Sequence, residues 1–332
     1  MTPHWTEEPG APVTAVVEGL PDAAAAADWI GTRRDELRRV LARHGALYLR
    51  GLPVRTAADF ALVRDALFAE RAKYQEKATP RSDFGDDVFS STDLPPAQAI
   101  RMHNENSYTL TFPRLLLFGC LTAPAEGGAT PVADVRRVLD HLPADLVDRF
   151  RRHGWSLVRN YAEHISLDWR TAFAGNSRAD VERYCAANAI DFTWGDDDTL
   201  RTRQVRSATI RHPHTGEEVW FNHVAFWSEW ALDPDIRDVL VGEFGRDGLP
   251  FSTALGDGTP LTPEEVAVLD AAYARATVRR TWQAGDLLLV DNILTAHGRD
   301  AFRGDRKIVV AMGEPIALAD CTPSVPALAE RA

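Results

Sequence analysis

The sequence predicts a mainly β protein, a double-stranded β-helix or jelly roll with helices packed outside it. Three observations point there. From Ile100 onward the chain breaks into short apolar runs rich in β-branched and aromatic residues, separated by Gly, Pro and Asp. Helical periodicity is confined to the region before about residue 75 and to a few later intervals. Two histidines and one carboxylate on well-separated runs can meet at one end of such a barrel.

Taken in order, residues 22–44 combine good helix formers, apolar residues at helical spacing and a closing Gly45. The segment ALYLRGLP then reads as a short strand stopped by Gly51 and Pro53. Helical period returns over 56–72, whereas 79–97 is turn-rich and is expected to form a loop over a site. The strand candidates are PRLLLFGCLTAP, ATPVAD, SATIRH, EEVWFNHVAF, DLLLVDNI and RKIVVAMG. A helical insertion, 135–152 and then about 168–188, interrupts them, and 262–274 is a helix opened by a Thr cap and Pro. No internal repeat is evident, and the Ala/Pro-rich end after Asp320 reads as a loose tail. One domain is expected over 1–332, with a helical portion at about 20–75, barrel strands at about 100–315, the insertion at about 135–190 and the tail at 320–332.

With 45% apolar residues, 9 Trp and 14 Phe, the chain has ample material for a packed core. Its formal net charge of -11, with no basic cluster to offset it, argues against a nucleic-acid partner. No apolar run is long enough to span a bilayer and no signal segment opens the sequence, so a cytoplasmic location and no membrane partner are expected. Cys120, Cys185 and Cys321 are far apart and odd in number, which indicates neither a disulfide framework nor a thiolate metal site.

The segment IRMHNENSY places His103 and Glu105 two residues apart, and on a strand such residues share a face. His297 follows the apolar run of GDLLLVDNILTAHGR, which also carries Asp291 and Asn292 toward the expected cavity mouth. Two imidazoles and a carboxylate with open positions form the facial triad of non-haem Fe(II) oxygenases. Zinc hydrolases use the same ligand types but place both histidines on one helix as HExxH, a pattern absent here. Downstream, Arg306 offers a guanidinium fork suited to a carboxylate, and Thr130 in AEGGATPVAD offers a hydroxyl.

Taken together, the His103-x-Glu105 pair, GGATPVAD, GEEVWFNHVAF and GDLLLVDNILTAHGRDAFRGDRKIVVAMG resemble successive motifs of the TauD/TfdA-type dioxygenases, most of all the SyrP-like amino-acid β-hydroxylases. The resemblance covers about residues 79–314. It implies a clavaminate synthase-like jelly roll, Fe(II) held by His103, Glu105 and His297, and the co-substrates 2-oxoglutarate and O2, with Arg306 and Thr130 contacting the 2-oxoglutarate carboxylate. Related halogenases carry a small residue where Glu105 stands, so an oxygenative outcome is implied instead. The substrate implied is an amino acid, free or carried on a carrier protein, hydroxylated at an unactivated carbon in natural-product biosynthesis. Desaturation, epoxidation or cyclisation at the same iron is the alternative outcome. A non-catalytic cupin-like binding protein is the alternative of another class, and the joint presence of His103, Glu105, His297 and Arg306 counts against it.

Further residues have two readings each. Arg299 either orients the site or fixes a turn through a salt bridge. Asn292 and Asn222 either support the ligands or co-substrate or satisfy backbone groups at strand ends. Arg81 either binds a substrate carboxylate or is solvated at the surface. His223, where related sequences often carry Gln, is either a polar contact to substrate or structural. His212 and His214 are expected on an exposed hairpin connection, and the aromatic residues between Trp220 and Trp230 in the core.

Overall fold

In the computed structural model, residues 2–7, 12–73, 76–78, 81–162, 166–174, 177–195 and 198–326 are described. The run Leu115, Leu116, Leu117 and Phe118 shows why the middle of its strand is apolar at successive positions. Leu115 and Leu117 face a helical layer with Trp29, Ile30, Leu37 and Phe60. Leu116 and Phe118 face the barrel interior with Tyr48, Leu288, Val290 and Val310. A strand covered on both faces loses the apolar–polar alternation of a half-exposed one. The major sheet takes seven strands in the order His4–Thr6, Val13–Val16, Ala46–Arg50, Leu287–Asp291, Thr111–Thr122, Lys307–Ala317 and Phe89–Ser90.

Facing it is a minor sheet in the order Thr277–Val278, Val132–Asp134, Thr295–Arg299 and Ile100–His103. Val132 from this sheet and Trp282 close the interior shared with the major sheet. Together the two sheets form the expected jelly roll.

The helix Ala23–His44 starts where Asp22 accepts the backbone N–H of Ala25 and stops at Gly45, whose φ of 75° suits glycine. The next helix, Ala57–Leu67, opens on a reciprocal capping box between Thr56 and Asp59. It ends earlier than its helical pattern: Phe68 is extended, and the Ala72 N–H donates to Met312 O on the long C-terminal strand. That long strand claims the residues that continue the period.

The expected insertion is only partly helical. Helices Val135–Asp140, Ala144–His153, Trp169–Ala172 and Arg178–Ala187 are present, but Trp155–Tyr161 is a strand at the heart of a separate four-stranded sheet. Its neighbour Leu200–Arg206 buries Leu200, Thr202, Gln204 and Arg206, a polar inward face that hydrophobic periodicity does not reveal. The chain after Asp320 is not loose as far as Pro326. Cys321 is fully buried, and the Ser324 N–H donates to Ser207 Oγ at 2.8 Å. The rest of the tail, like positions 79–80 of the site loop and 175–176 of the insertion, lies outside the described residues. Among the described residues no helix is long and apolar enough to cross a membrane.

Candidate metal centre

The minor sheet sets the first two candidate ligands side by side. His297 lies in the middle of Thr295–Arg299 and pairs directly with His103 at the end of Ile100–His103. Their rings are 4.4 Å apart. His297 is therefore not carried on the end of the Leu287–Asp291 strand, as its position after that run suggested; it has a strand of its own in the opposite sheet. Between His297 and Arg299 the register shifts, because Ile100–His103 contains one extra residue. Gly298 allows the close approach, since a Cβ there would meet Ile100 O at 2.6 Å.

Glu105 reaches the same point by a different route. It lies beyond the strand end, in a turn where Asn106 has φ 54°, so the two-residue alternation of a strand is not what aims it. Asn292 fixes the turn instead. Its Oδ1 accepts the Glu105 N–H at 2.7 Å, and its Nδ2 donates to Glu105 O at 2.9 Å and Pro113 O at 2.8 Å. One ligand atom from each of His103, Glu105 and His297 lies within 4.8 Å of the others. His297 Nε2 and Glu105 Oε2 are 3.6 Å apart.

Protonation favours a cation at this point. His103 Nδ1 is 2.9 Å from Arg101 O, which leaves Nε2 as the ring's ligand atom. Burial, followed by the neighbouring His297, lowers the His103 pKa to about 3, so its ring is neutral at neutral pH. Burial opposes the charge on Glu105, but Arg81 and the two histidines outweigh it and hold the carboxyl well below its ordinary value. Two imidazoles and one carboxylate fit a ferrous ion and leave positions open for further ligands.

Two small cavities meet at His103. One is lined by Ser91, Thr130, Phe118, His297, Arg299 and Arg306. In it Arg306 Nε donates to Gly128 O at 2.9 Å, Nη1 to Ser91 Oγ at 3.0 Å and Nη2 to Thr130 Oγ1 at 3.3 Å. Gly128 makes room, because a Cβ there would lie 3.1 Å from Arg306 Cδ. Burial and the nearby Arg299 lower Arg306 to about 10, which still leaves it charged at neutral pH. The other cavity is lined by Tyr108, His223, Phe226 and Trp227. His223 Nδ1 is 2.6 Å from Ser107 Oγ, and the ring stacks on Trp227 at 4.3 Å. A roomier depression bounded by Arg71, Lys73, Asn106 and Tyr184 contains none of the three ligands.

The remaining candidates separate cleanly. Arg299 makes no salt bridge among the described residues; it donates to the carbonyls of Thr92, Leu94, Pro95 and Gln98 and so ties the irregular loop across the site. Asn222 serves backbone, donating to Ala208 O and accepting from the Val224 N–H. Arg81 is not a surface group: its side chain is 6% exposed and Nη2 lies 2.9 Å from Glu105 Oε2. His212 is likewise buried, against Asp291 at 3.2 Å, with its Nδ1 accepting the His214 and Thr215 N–H groups. Trp220 and Phe221 are core, as expected, whereas Phe226 and Trp227 also wall the cavity beside His103. Ser107 carried no local signal in the sequence, since its contact to His223 spans 116 residues.

Comparison with known proteins extends this geometry. The dapdiamide synthesis protein DdaC of Enterobacter agglomerans is 37% identical over 277 residues, covering 83% of this chain and 84% of that one. Among solved structures, PvcB, described as an Fe, alpha-ketoglutarate dependent oxygenase from an isonitrile synthetic pathway, shares the fold at a TM-score of 0.52 and 15% identity, covering 96% of this chain and 97% of its own. AAD-2, solved with Mn(II) and N-oxalylglycine, does so at 0.56 and 13%, covering 98% and 100%. The family model described as "Taurine catabolism dioxygenase TauD, TfdA family" matches residues 15–312, and the chain belongs to that family of Fe(II)- and 2-oxoglutarate-dependent dioxygenases.

Proposed function

We propose that this dioxygenase hydroxylates an amino-acid-like small molecule, free or carrier-borne, at an unactivated carbon in natural-product biosynthesis. In this reading His103, Glu105 and His297 hold the iron, and Arg306 with Thr130 holds the distal carboxylate of 2-oxoglutarate. The observation that carries it is the paired His103 and His297, with Glu105 beside them and the guanidinium of Arg306 lining an adjoining cavity together with the Ser91 and Thr130 hydroxyls. The name of DdaC places that relative in dapdiamide synthesis, which supports a role in specialised metabolism.

Iron and 2-oxoglutarate, when bound, supply an oxidant able to remove hydrogen from an unactivated carbon. The chain's own part is placement. Arg306, Thr130 and Ser91 form a fork and two hydroxyls for one end of a dicarboxylate. Asn292 keeps Glu105 aimed at the two imidazoles through both backbone groups of that residue. Tyr108, Phe226 and Trp227 form the aromatic wall beside His103, where a carbon chain can lie with water excluded.

Anaerobic addition of Fe(II) and 2-oxoglutarate should produce the weak visible charge-transfer band of the chelate, and Glu105→Ala should not. Amino acids and aminoacyl carrier proteins are then screened for substrate-dependent succinate release. Product mass separates hydroxylation, which adds an oxygen atom, from desaturation, which removes two hydrogens. Protein that forms the chelate but turns over no amino-acid substrate of either kind would retire the amino-acid assignment.

A further inference from the structure

The imidazole of His223 is held firmly by its neighbours yet leaves one ring nitrogen unused. The residue is 4% exposed and lines the aromatic cavity beside His103. Its ring stacks on Trp227 at 4.3 Å, with Tyr108 and Phe226 edge-on at 5.3 and 5.4 Å, and Trp227 is itself stacked on Phe251 at 4.9 Å. The backbone is tied as well, since His223 O accepts the Trp227 N–H at 3.1 Å. Ser107 Oγ engages Nδ1, and Nε2 has no hydrogen-bond partner among the described residues. Glu105 lines the same cavity, but its carboxylate faces Arg81 and His297.

Ser107 decides which nitrogen carries the proton. Its hydroxyl is buried, and His223 Nδ1 is its hydrogen-bond partner among the described residues. If Nδ1–H donated to Oγ, the hydroxyl hydrogen would be buried without an acceptor, which is costly. If the hydroxyl donates to Nδ1 instead, every hydrogen is used and the ring proton sits on Nε2. The cavity beside the three candidate ligands therefore presents an N–H group that still lacks an acceptor.

Resting on the function proposed above, we propose that His223 is a specificity-determining residue that donates its Nε2–H to a carbonyl oxygen of the organic substrate. The class it selects is the acyl compound, whether amide, thioester or carboxylate, because an ammonium group or a bare hydrocarbon offers no acceptor. A pocket built around a donor rejects an analogue that lacks the matching oxygen, since the donor is then left buried and unpaired. The rings of His223 and His103 are 5.1 Å apart, so the bonded oxygen fixes the substrate relative to the metal, and the adjoining carbon chain lies against Phe226 and Trp227.

Nitrogen NMR on histidine-labelled protein tests both halves of this, and neither depends on turnover. In metal-free protein the His223 ring signals, identified by their loss in His223→Gln, should show the proton on Nε2; a proton on Nδ1 overturns the proposal. Protein loaded with Zn(II) and 2-oxoglutarate is then titrated with butyramide, butyrate, N-acetyl-S-butyrylcysteamine and 1-chlorobutane, which has a chain but no oxygen. At least one acyl compound should bind about tenfold more tightly than 1-chlorobutane and move the His223 Nε2–H signal downfield. The tightest of them identifies the acyl group that the site takes. Absence of any such preference, or a preference that leaves that signal unmoved, overturns the proposal. By saturation-transfer NMR of the ligands, His223→Phe, which keeps a ring against Trp227 without the donor, should lower the preference about tenfold. His223→Gln, which restores an N–H, should recover most of it, and equal losses in the two variants overturn the donor role. Zn(II) affinity of His223→Gln should stay within about tenfold of the unaltered protein; a larger loss makes His223 a ligand of the ion and overturns the proposal. Protein that binds neither Zn(II) nor 2-oxoglutarate would instead sink the iron site, while the position of the proton in metal-free protein still judges His223.

Discussion

The two cavities on either side of His103 are built from different materials. Around Arg306 the lining is cationic and hydroxylic, assembled from the GG turn, the loop bearing Ser91 and the start of the long C-terminal strand. Around His223 the lining is largely aromatic and aliphatic, with polar groups supplied by Arg81, Thr92, His103, Glu105 and the His223 imidazole held by Ser107. The first suits one small dicarboxylate and little else. The second constrains shape more than chemistry, the kind of wall that lets related enzymes share a co-substrate while differing in substrate.

The sharpest way to break this division is to remove one of the candidate ligands that converge where the two cavities meet. His297→Ala or Glu105→Ala should weaken Mn(II) binding by about a hundredfold or more and abolish 2-oxoglutarate turnover, as read by ion titration and succinate release. Arg306→Met should act on one side only. It should raise the KM for 2-oxoglutarate by about a hundredfold and leave Mn(II) affinity within about twofold. A comparable loss of metal affinity would show that the cavities are not independent.

Asn292→Ala tests the turn between them. It removes three hydrogen bonds that hold Glu105 and Pro113, so metal affinity should fall about tenfold and the urea midpoint should drop by an amount equivalent to about 2 kcal/mol. A further test is pH, which leaves metal binding aside and acts on stability alone. His103 and His223 both have pKa values lowered by burial, His103 to about 3. An unfolded chain takes up protons at these residues near pH 6.5 while the folded one does not. Stability of the metal-free protein should therefore be level above about pH 6.5 and fall below it, by at most about 1.4 kcal/mol per pH unit for each residue. A urea midpoint unchanged between pH 7.5 and 5.5 would contradict the buried, neutral state of both rings.

Much of the fold was legible because its signals are local. The closing Gly45 of Ala23–His44 and the apolar run from Leu115 to Leu121 within Thr111–Thr122 announce themselves within a few residues. His103, Glu105, His297, Arg306 and Thr130 could be named from short motifs, and the structure gathers them around two adjoining cavities. What could not be read depends on distant partners. Arg81 looks like any loop arginine until the fold brings it to a carboxylate 24 residues away, and His212 looks exposed until Asp291 closes over it. Leu200–Arg206 hides its strand because Arg206 and Gln204 point inward to the carbonyl of Tyr108, a satisfied polar interior that hydropathy reads as surface.

The position of His103 also bears on how the barrel holds its rim. Among the described residues Ile100–His103 is the outermost strand of the minor sheet, joined to Thr295–Arg299 and interrupted by an extra residue. A border of this kind is where a sheet opens most readily. A cation bridging the paired imidazoles would rivet that border to the next strand, so an ion recruited for oxidation would also fasten the mouth through which its substrates must pass.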